Sequence, residues 1–270
     1  MTTALDLAPR LAFAAEIAEI VGRRLLALRS SGRWSAPDLL GDVGDQAADG
    51  YLQGALRGRY PHDGILSEET ADDRQRLDRA GVWIVDPLDG TKEYSAQRHD
   101  FAVHVGYARD GVPLLGAVAL PAIGRVLVAA AGLGATAVHG AGGDWPERLA
   151  PPPSPGQRLR IVCSRSHTPD WVRRLAAALG DAELVPCGSV GFKVAMLLFG
   201  RSDVYVHDRG LKEWDTCAPE VVARSAGFAV CRLDGSAQRY NQPNPRNDQF
   251  VVCRPELRER LLAAVAAARA

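Results

Sequence analysis

The chain has 270 residues, 47% of them apolar and 24% charged, and its 32 basic and 32 acidic side chains cancel to a formal net charge of zero. That length buries a sizeable core, as one large domain or two small ones, and the neutral balance speaks against general binding to nucleic acid or to an anionic membrane. No apolar run approaches the roughly 20 residues of a membrane span, and the start Met1-Thr2-Thr3-Ala4-Leu5-Asp6 lacks the basic stretch of a signal peptide, so a cytoplasmic location is expected.

In chain order, Leu7, Leu11, Ala14, Ala18, Val21, Leu25 and Leu28 recur at helical spacing and predict an amphipathic helix. A second helix is expected from Gln46 to Tyr60, with Gly41-Asp42-Val43-Gly44-Asp45 as a loop before it. The apolar run Gly64-Ile65-Leu66 leads into Ser67-Glu68-Glu69, and the strand Val82-Trp83-Ile84-Val85 leads into Asp86-Pro87-Leu88-Asp89-Gly90-Thr91. Phe101, Val103 and Val105 alternate, Asp110-Gly111 turns the chain, and Leu114 to Leu120 returns it. Arg125 to Ala129 and Thr136 to Val138 add strands to an antiparallel sheet. The Pro-rich stretch Ala150 to Gly156 reads as a linker, which divides the chain into an α+β unit, 1–150, and an α/β unit, 157–270.

Beyond it strands and helices alternate: Leu159–Cys163, a helix capped at Thr168-Pro169-Asp170, Glu183–Cys187, Val190–Phe199, Asp203–Val206, Asp215–Ala226 stopped by Gly227, and a last helix opened by Pro255. The cysteines, Cys163, Cys187, Cys217, Cys231 and Cys253, are odd in number, mostly in apolar runs and without a C-x-x-C pair. This fits buried thiols in a reducing compartment and not a zinc site or a cysteine nucleophile.

The hexapeptide from Asp86 to Thr91 carries the chemistry. Two carboxylates three apart, around a proline that stiffens the turn and ahead of a glycine that admits close backbone approach, can face one small space at a strand end. With Glu68 and Asp215 they make an oxygen-only donor set, which suits Mg²⁺ or Mn²⁺ and not zinc or copper. The spacing is wrong for an Asp-x-Asp phosphatase, no P-loop occurs, and Gly132-x-Gly134 and Gly140-x-x-Gly143 read as turns.

Together, Glu68-Glu69, the hexapeptide and Trp214-Asp215 resemble, in kind and order, the signature of the inositol monophosphatase superfamily of magnesium-dependent, lithium-sensitive phosphatases. The resemblance implies a layered α-β-α-β-α sandwich. It implies two or three Mg²⁺ ions, replaceable by Mn²⁺ and inhibited by Li⁺. Glu68, Asp86 and the Leu88 carbonyl would hold the first, Asp86, Asp89 and Asp215 the second, with Asp89 bridging and a third site weaker. Thr91 and an upstream acid would orient the attacking water. Asp45 is that acid in the alignment of motifs, but the segment departs from the usual Pro-Val-Thr-x-Ala-Asp, so Asp42 competes. Glu69 would sit behind them, accepting from Thr91 or the water network, or be a solvated surface acid. Many relatives dimerise and no sequence feature marks an interface, so monomer and homodimer both stand.

The later motifs concern the substrate. Ser164-Arg165-Ser166-His167, Gly188-Ser189 followed by Lys193, and Trp214 to Glu220 are similar to segments of the 3'(2'),5'-bisphosphate nucleotidase (CysQ-type) branch. Lys193 is one of three lysines and falls in an apolar helix. The substrate set implied is Asp89, Gly90, Thr91, Ser164, Arg165, Ser166, His167, Gly188, Ser189, Lys193, Asp208 and Asp215, with Arg209 and Lys212 near it. Arg165 and His167 have bland alternatives, a surface ion pair and a strand cap. His62, His99, His104, His139 and His207 show no partner. Leu233-Asp234-Gly235-Ser236 with Tyr240-Asn241 is similar to a late substrate-side segment of those nucleotidases and is also a plain turn. The reaction expected is hydrolysis of the 3'-phosphate of adenosine 3',5'-bisphosphate by a metal-activated water, with its 5'-phosphosulfate a second substrate. Inositol phosphate, fructose bisphosphate and other sugar or nucleoside phosphates are alternatives. A non-catalytic binding protein would have lost a ligand acid, and none is lost.

Overall fold

The computed structural model describes residues 4–34, 36–139, 147–150 and 158–269. Helix α1 (Ala4–Ser30) buries Leu7, Ala14, Ala18, Val21 and Leu25 as its spacing predicts. Helix α2 (Pro37–Arg59) begins well before the expected Gln46, so Asp42 and Asp45 stand on a helix and not in a loop. Gly41 and Gly44 made the segment look like a loop. Packing overrides their low propensity, because a side chain on Gly41 would come within 2.8 Å of Thr91 and Ser95.

Strands β1 (Gly64–Ser67) and β2 (Gly81–Asp89) are followed by the short helix α3 (Thr91–Ser95), then by β3 (Ala102–Arg109), β4 (Val112–Leu120), β5 (Arg125–Ala130), β6 (Gly134–His139) and β7 (Glu147–Arg148). They form one seven-stranded sheet in sequence order, with β1 parallel to β2 and every later pair antiparallel. Asp110 and Gly111 both take positive φ, 53° and 77°, the geometry of a two-residue hairpin turn. The proline-rich stretch expected as a linker, Ala150 to Gly156, lies outside the described residues apart from Ala150.

The remaining elements are β8 (Arg160–Ser164), α4 (Asp170–Ala178), β9 (Glu183–Cys187), α5 (Val190–Leu198), β10 (Val204–His207), α6 (Glu213–Ser225), β11 (Ala229–Cys231), β12 (Phe250–Cys253) and α7 (Arg258–Arg269). The second sheet has the order β11-β12-β10-β8-β9; β8 is parallel to β9 and β10, and β12 is antiparallel to β10 and β11. Strict strand–helix alternation therefore fails at the end: β11 and β12 were not expected, because they are short and separated by an aperiodic polar segment. Thr168 does not cap α4 either. Its hydroxyl donates to the Ser164 carbonyl over 2.6 Å, and Pro169 takes the cap position.

Side-chain parity sorts the layers. Trp83, Val85, Val103, Val105, Ala117 and Val128 face α1 and α2. Ala102, Val118, Leu127 and Ala129 face α5 and α6, whose other side meets Val162, Tyr205, Phe250 and Val252. Ile161, Cys163, Val204 and Val251 face α4 and α7. The result is the α-β-α-β-α sandwich, with about 1.5–3 kcal/mol from each fully buried aliphatic or aromatic side chain. Helix α6 lies unusually close to the first sheet. Gly106 and Gly116 pair across β3 and β4, and a Cβ on them would come within 2.7 Å of Cys217 Sγ and 2.5 Å of the Ala218 carbonyl oxygen, respectively. All five cysteines are free and buried, as expected.

Candidate active site

A plain strand turns side chains three apart to opposite faces. Along β2, however, Asp86 lies opposite His104 and Asp89 opposite Ala102, so three steps on β2 match two on β3. This bulge at Pro87-Leu88 brings both carboxylates onto the face covered by α5 and α6, at a place where proline has no ladder N–H to lose. The close seat of α6 then delivers Asp215. Carboxylate oxygens of Asp86, Asp89 and Asp215 lie within 4.8 Å of one another.

Each of the three is fixed from behind. Asp215 Oδ2 accepts from the Lys212 amide at 2.6 Å, closing the helix start. Asp86 Oδ1 accepts from the Leu88 amide at 3.0 Å, while its buried Oδ2 has no partner. Asp89 Oδ2 accepts from the Ser189 hydroxyl at 2.5 Å and the Gly191 amide at 2.7 Å. His104, expected to lack a partner, is wholly buried with Nε2 3.1 Å from the same oxygen and Nδ1 3.2 Å from the Trp214 carbonyl. Its only sequence signal was a polar residue inside a strand buried on both faces. Gly191 makes room for it, since a Cβ there would stand 2.2 Å from His104 Nε2.

Glu68 follows β1 and stands close enough to Asp86 for the two charges to repel, at the edge of the trio. Thr91 Oγ1 lies 3.1 Å from the Leu88 carbonyl and 3.5 Å from Asp45 Oδ1. The acid that meets Thr91 is thus Asp45, buried on α2, whereas Asp42 is exposed and Glu69, expected as a possible acceptor for Thr91, is exposed on the loop. A residue the motifs did not reveal, Asp49, sits one turn beyond Asp45. It accepts from Ser67 Oγ and Thr70 Oγ1, each at 2.6 Å, and so brackets Glu68-Glu69.

The electrostatics are those of a crowded acidic site. Burial, then repulsion from Glu68, Asp89 and Asp215, pushes Asp86 well above the usual carboxylate range. Burial and the neighbouring acids push Asp45 and Asp215 up to about 7, and they raise Glu68 as well, although that residue stands open to solvent. Asp89 differs: burial would raise it, but His104, Lys193 and Ser189 outweigh that and hold it at about 2. Acids this close favour a shared cation, and the orphaned, buried Asp86 Oδ2 is the atom such an ion would satisfy. The all-oxygen donor set fits magnesium.

The expected substrate residues are not one cluster. Lys193 is buried on α5, donates to the Gly188 carbonyl and lies 5.4 Å from the Tyr205 ring. Gly188 and Ser189 open that helix against Asp89 and Asp100, and Gly90, in the left-handed region at φ 93°, packs on Ser189. Arg165 bridges Glu93 at 3.1 Å and Asp100 at 2.6 Å. Ser166 and His167 are exposed, and Ser164 Oγ accepts from the His167 amide at 3.3 Å. Asp208 accepts from Trp171 Nε1 at 3.0 Å, which ties it to α4. An open cleft of about 410 Å³ joins Arg165 with Arg98, His99, Phe192 and Met196.

The profile of the inositol monophosphatase family matches residues 7–270. The chain belongs to that family. A 3'-phosphoadenosine 5'-phosphate phosphatase of Mycobacterium leprae is 39% identical over 264 residues, 94% of this chain and 92% of the relative. A 3'(2'),5'-bisphosphate nucleotidase CysQ of Salmonella typhimurium is 32% identical over 199 residues, 73% of this chain and 77% of the relative. Among solved structures, CysQ from Bacteroides thetaiotaomicron, described as a bacterial member of the inositol monophosphatase family, superposes with a TM-score of 0.79 at 26% identity, covering 93% of this chain and 98% of its own. The family fold thus accounts for the five layers. Among the described residues no helix is long and apolar enough to cross a membrane.

Proposed function

We propose that this family member is a magnesium-dependent 3'(2'),5'-bisphosphate nucleotidase that removes the 3'-phosphate from adenosine 3',5'-bisphosphate. The observation that carries the chemistry is the trio of Asp86, Asp89 and Asp215, one of whose buried oxygens, Asp86 Oδ2, has no hydrogen-bond partner; the 39% identical phosphatase relative supports the substrate.

Glu68, Asp86, the Leu88 carbonyl, Asp89 and Asp215 are the residues to hold two Mg²⁺ ions, with a third more weakly held. When bound, Mg²⁺ activates water and offsets charge on the phosphoryl oxygens. Asp45, with a carboxyl near neutrality, is suited to take the proton of a water that Thr91 orients. That water bonds to phosphorus, the bond from phosphorus to the ribose 3'-oxygen breaks, and the departing oxygen is protonated from solvent. Gly90, Gly188 and Ser189 line the approach. Lys193 supplies a buried cation near Asp89, and Arg165 lines the neighbouring cleft. The cleft beside Arg165 supports a nucleotide: Phe192 and Met196 give an apolar wall, and Arg98, half-exposed and paired with Asp100 at 3.4 Å, stands at the rim for a second phosphate. The buried free thiols support a cytoplasmic location, as a monomer or homodimer.

Phosphate release with Mg²⁺ from adenosine 3',5'-bisphosphate, its 2',5' isomer, inositol 1-phosphate and fructose 1,6-bisphosphate tests this. A preference of about a hundredfold in kcat/KM for the 3',5'-bisphosphate, roughly 2.7 kcal/mol of discrimination, is expected. Equal rates on the sugar phosphates would overturn the nucleotide reading. Li⁺ in the presence of Mg²⁺ is expected to inhibit, and insensitivity would count against the metal assignment.

A further inference from the structure

Helix α6 buries three polar side chains on one face, Glu213, Thr216 and Glu220, each no more than 1% exposed. Their spacing is that of a helix stripe, where apolar residues would be the ordinary choice. What covers them is irregular chain from the segment between β11 and β12. Irregular backbone has no continuous ladder of its own, so its buried amides that make no turn bond need outside acceptors. Tyr240 donates its hydroxyl to Glu220 at 2.6 Å, and Asn247 donates to Thr216 at 3.0 Å. Glu213 makes the most specific contact: Oε2 accepts from the Asn241 amide at 2.6 Å and Oε1 from the Gln242 amide at 2.8 Å. Asn241 has φ 56°, a left-handed conformation that asparagine tolerates better than most residues. It turns two successive N–H groups toward one carboxylate.

The same two residues are held on their other side by Arg76. Its NH1 donates to Asn241 Oδ1 at 2.6 Å and its NH2 to the Gln242 carbonyl at 2.9 Å, while Asn241 Nδ2 donates to the Arg76 carbonyl at 3.3 Å. Arg76 is 2% exposed, pairs with Asp72 at 2.8 Å, and belongs to the loop that begins with Glu68-Glu69. Gly64 on β1 holds that loop close: a Cβ there would lie 2.7 Å from Arg76 Cβ. An unbroken chain of contacts therefore runs from the Glu68 loop through Arg76, Asn241 and Gln242 to Glu213, two residues from Asp215.

We propose that Glu213, with the strap 240–242, is a positioning element that ties the Glu68 loop to the start of α6 and sets the separation of Glu68 from Asp215. Glu213 touches neither substrate nor ion; it acts through the placement of Asp215. The inference rests on the reading of Glu68 and Asp215 as metal ligands.

The test is Mn²⁺ binding to the full chain, followed by the electron spin resonance of free Mn²⁺, with near-ultraviolet circular dichroism to verify native packing. Glu213→Gln keeps the size of the side chain but sets an NH₂ group against one of the two amides. Its Mn²⁺ dissociation constant is expected to rise at least about tenfold, in the range seen when groups that orient metal ligands are removed. At saturating Mg²⁺, kcat is expected to fall while the KM for substrate moves less than about twofold. Asn241→Gly keeps both amides and the positive φ and removes only the side-chain link to Arg76; a weakening of about threefold is expected. Natively packed Glu213→Gln with wild-type Mn²⁺ affinity overturns the proposal. If Glu213→Gln does not fold, Asn241→Gly decides, and wild-type affinity there overturns it. Failure of the wild-type protein to bind Mn²⁺ overturns the metal-ligand reading itself, and this proposal with it.

Discussion

Ser189 donates its hydroxyl to Asp89 over 2.5 Å although the two are 100 residues apart in the chain. The bond joins the end of β2 to the start of α5 at the centre of the acidic cluster. The same hydroxyl oxygen accepts from the Phe192 amide at 2.9 Å and caps α5. Ser189→Ala removes both, and about 1 kcal/mol of stability is expected to go with the cap alone. Urea denaturation measures that loss, and a parallel Mn²⁺ titration is expected to show weaker binding as Asp89 loses a fixing contact. Unchanged values in both would separate Ser189 from the site.

Asp86 and Asp89 occupy one face for a purpose that stability alone does not serve. Asp86 is crowded by like charges, so Asp86→Asn is expected to leave the metal-free protein as stable as wild type or more so, while the rise in melting temperature caused by Mg²⁺ disappears. Asp89→Asn is expected to lower kcat/KM at least about a hundredfold, since several kcal/mol of charge stabilisation rest on a bound ion, with the fold retained. Turnover near wild type in either variant would remove the metal clamp.

The raised acids give the metal-free protein a pH dependence of definite sign. Asp45 and Asp215 ordinarily lose their protons near 3.8, yet in the fold both hold them to about 7. Between these limits the folded state binds more protons than the unfolded one, so stability falls as pH rises from about 4 to about 7. Asp89, held at about 2, acts in the opposite sense but only at lower pH. Melting in a chelator is expected at a higher temperature near pH 5 than near pH 8. With Mg²⁺ the fall is expected to shrink, because the metal binds the deprotonated acids. A metal-free melting temperature that climbs across this window would contradict the electrostatics of the cluster.

Asp42 and Asp45 face different surroundings on the same helix, and the difference is measurable. Asp45 is buried within 3.5 Å of Thr91, whereas Asp42 is exposed. Asp45→Asn is expected to reduce kcat by about 10²–10⁴, the usual worth of a positioned acid or base, and Asp42→Asn to change it little. The reverse order would reassign the water-orienting role.

Much of this was legible in the chain. The hexapeptide and Trp214-Asp215 pointed to three acids that the fold brings together, and alternation announced the first sheet. What stayed hidden depended on contacts between distant segments. Gly41 and Gly44 imply a loop until the close approach of Thr91 and Ser95 is seen. His104 and Asp49 belong to no motif; they matter because a register places one against Asp89 and a helical turn places the other against Ser67 and Thr70. Strands β11 and β12 are too short to show a period, and their pairing comes from the neighbouring β10. Arg165 looked like a substrate residue by its segment, and the structure surrounds it with Glu93 and Asp100, two acids that no spacing connects to it.

Gly106 and Gly116 face each other beneath α6, and what they meet there includes backbone as well as side chain: the Ala218 carbonyl oxygen and Cα over Gly116, the Ala218 nitrogen and Cys217 over Gly106. Shrinking the residue at 218 therefore cannot make way for a methyl group at 116. The only relief is for the whole helix to rise, and Asp215 would rise with it. Two hydrogen atoms in the middle of a sheet thus act as a gauge for the height of Asp215 above it, and a lineage that loses either glycine can keep its layers and its motifs intact while the acidic cluster comes apart.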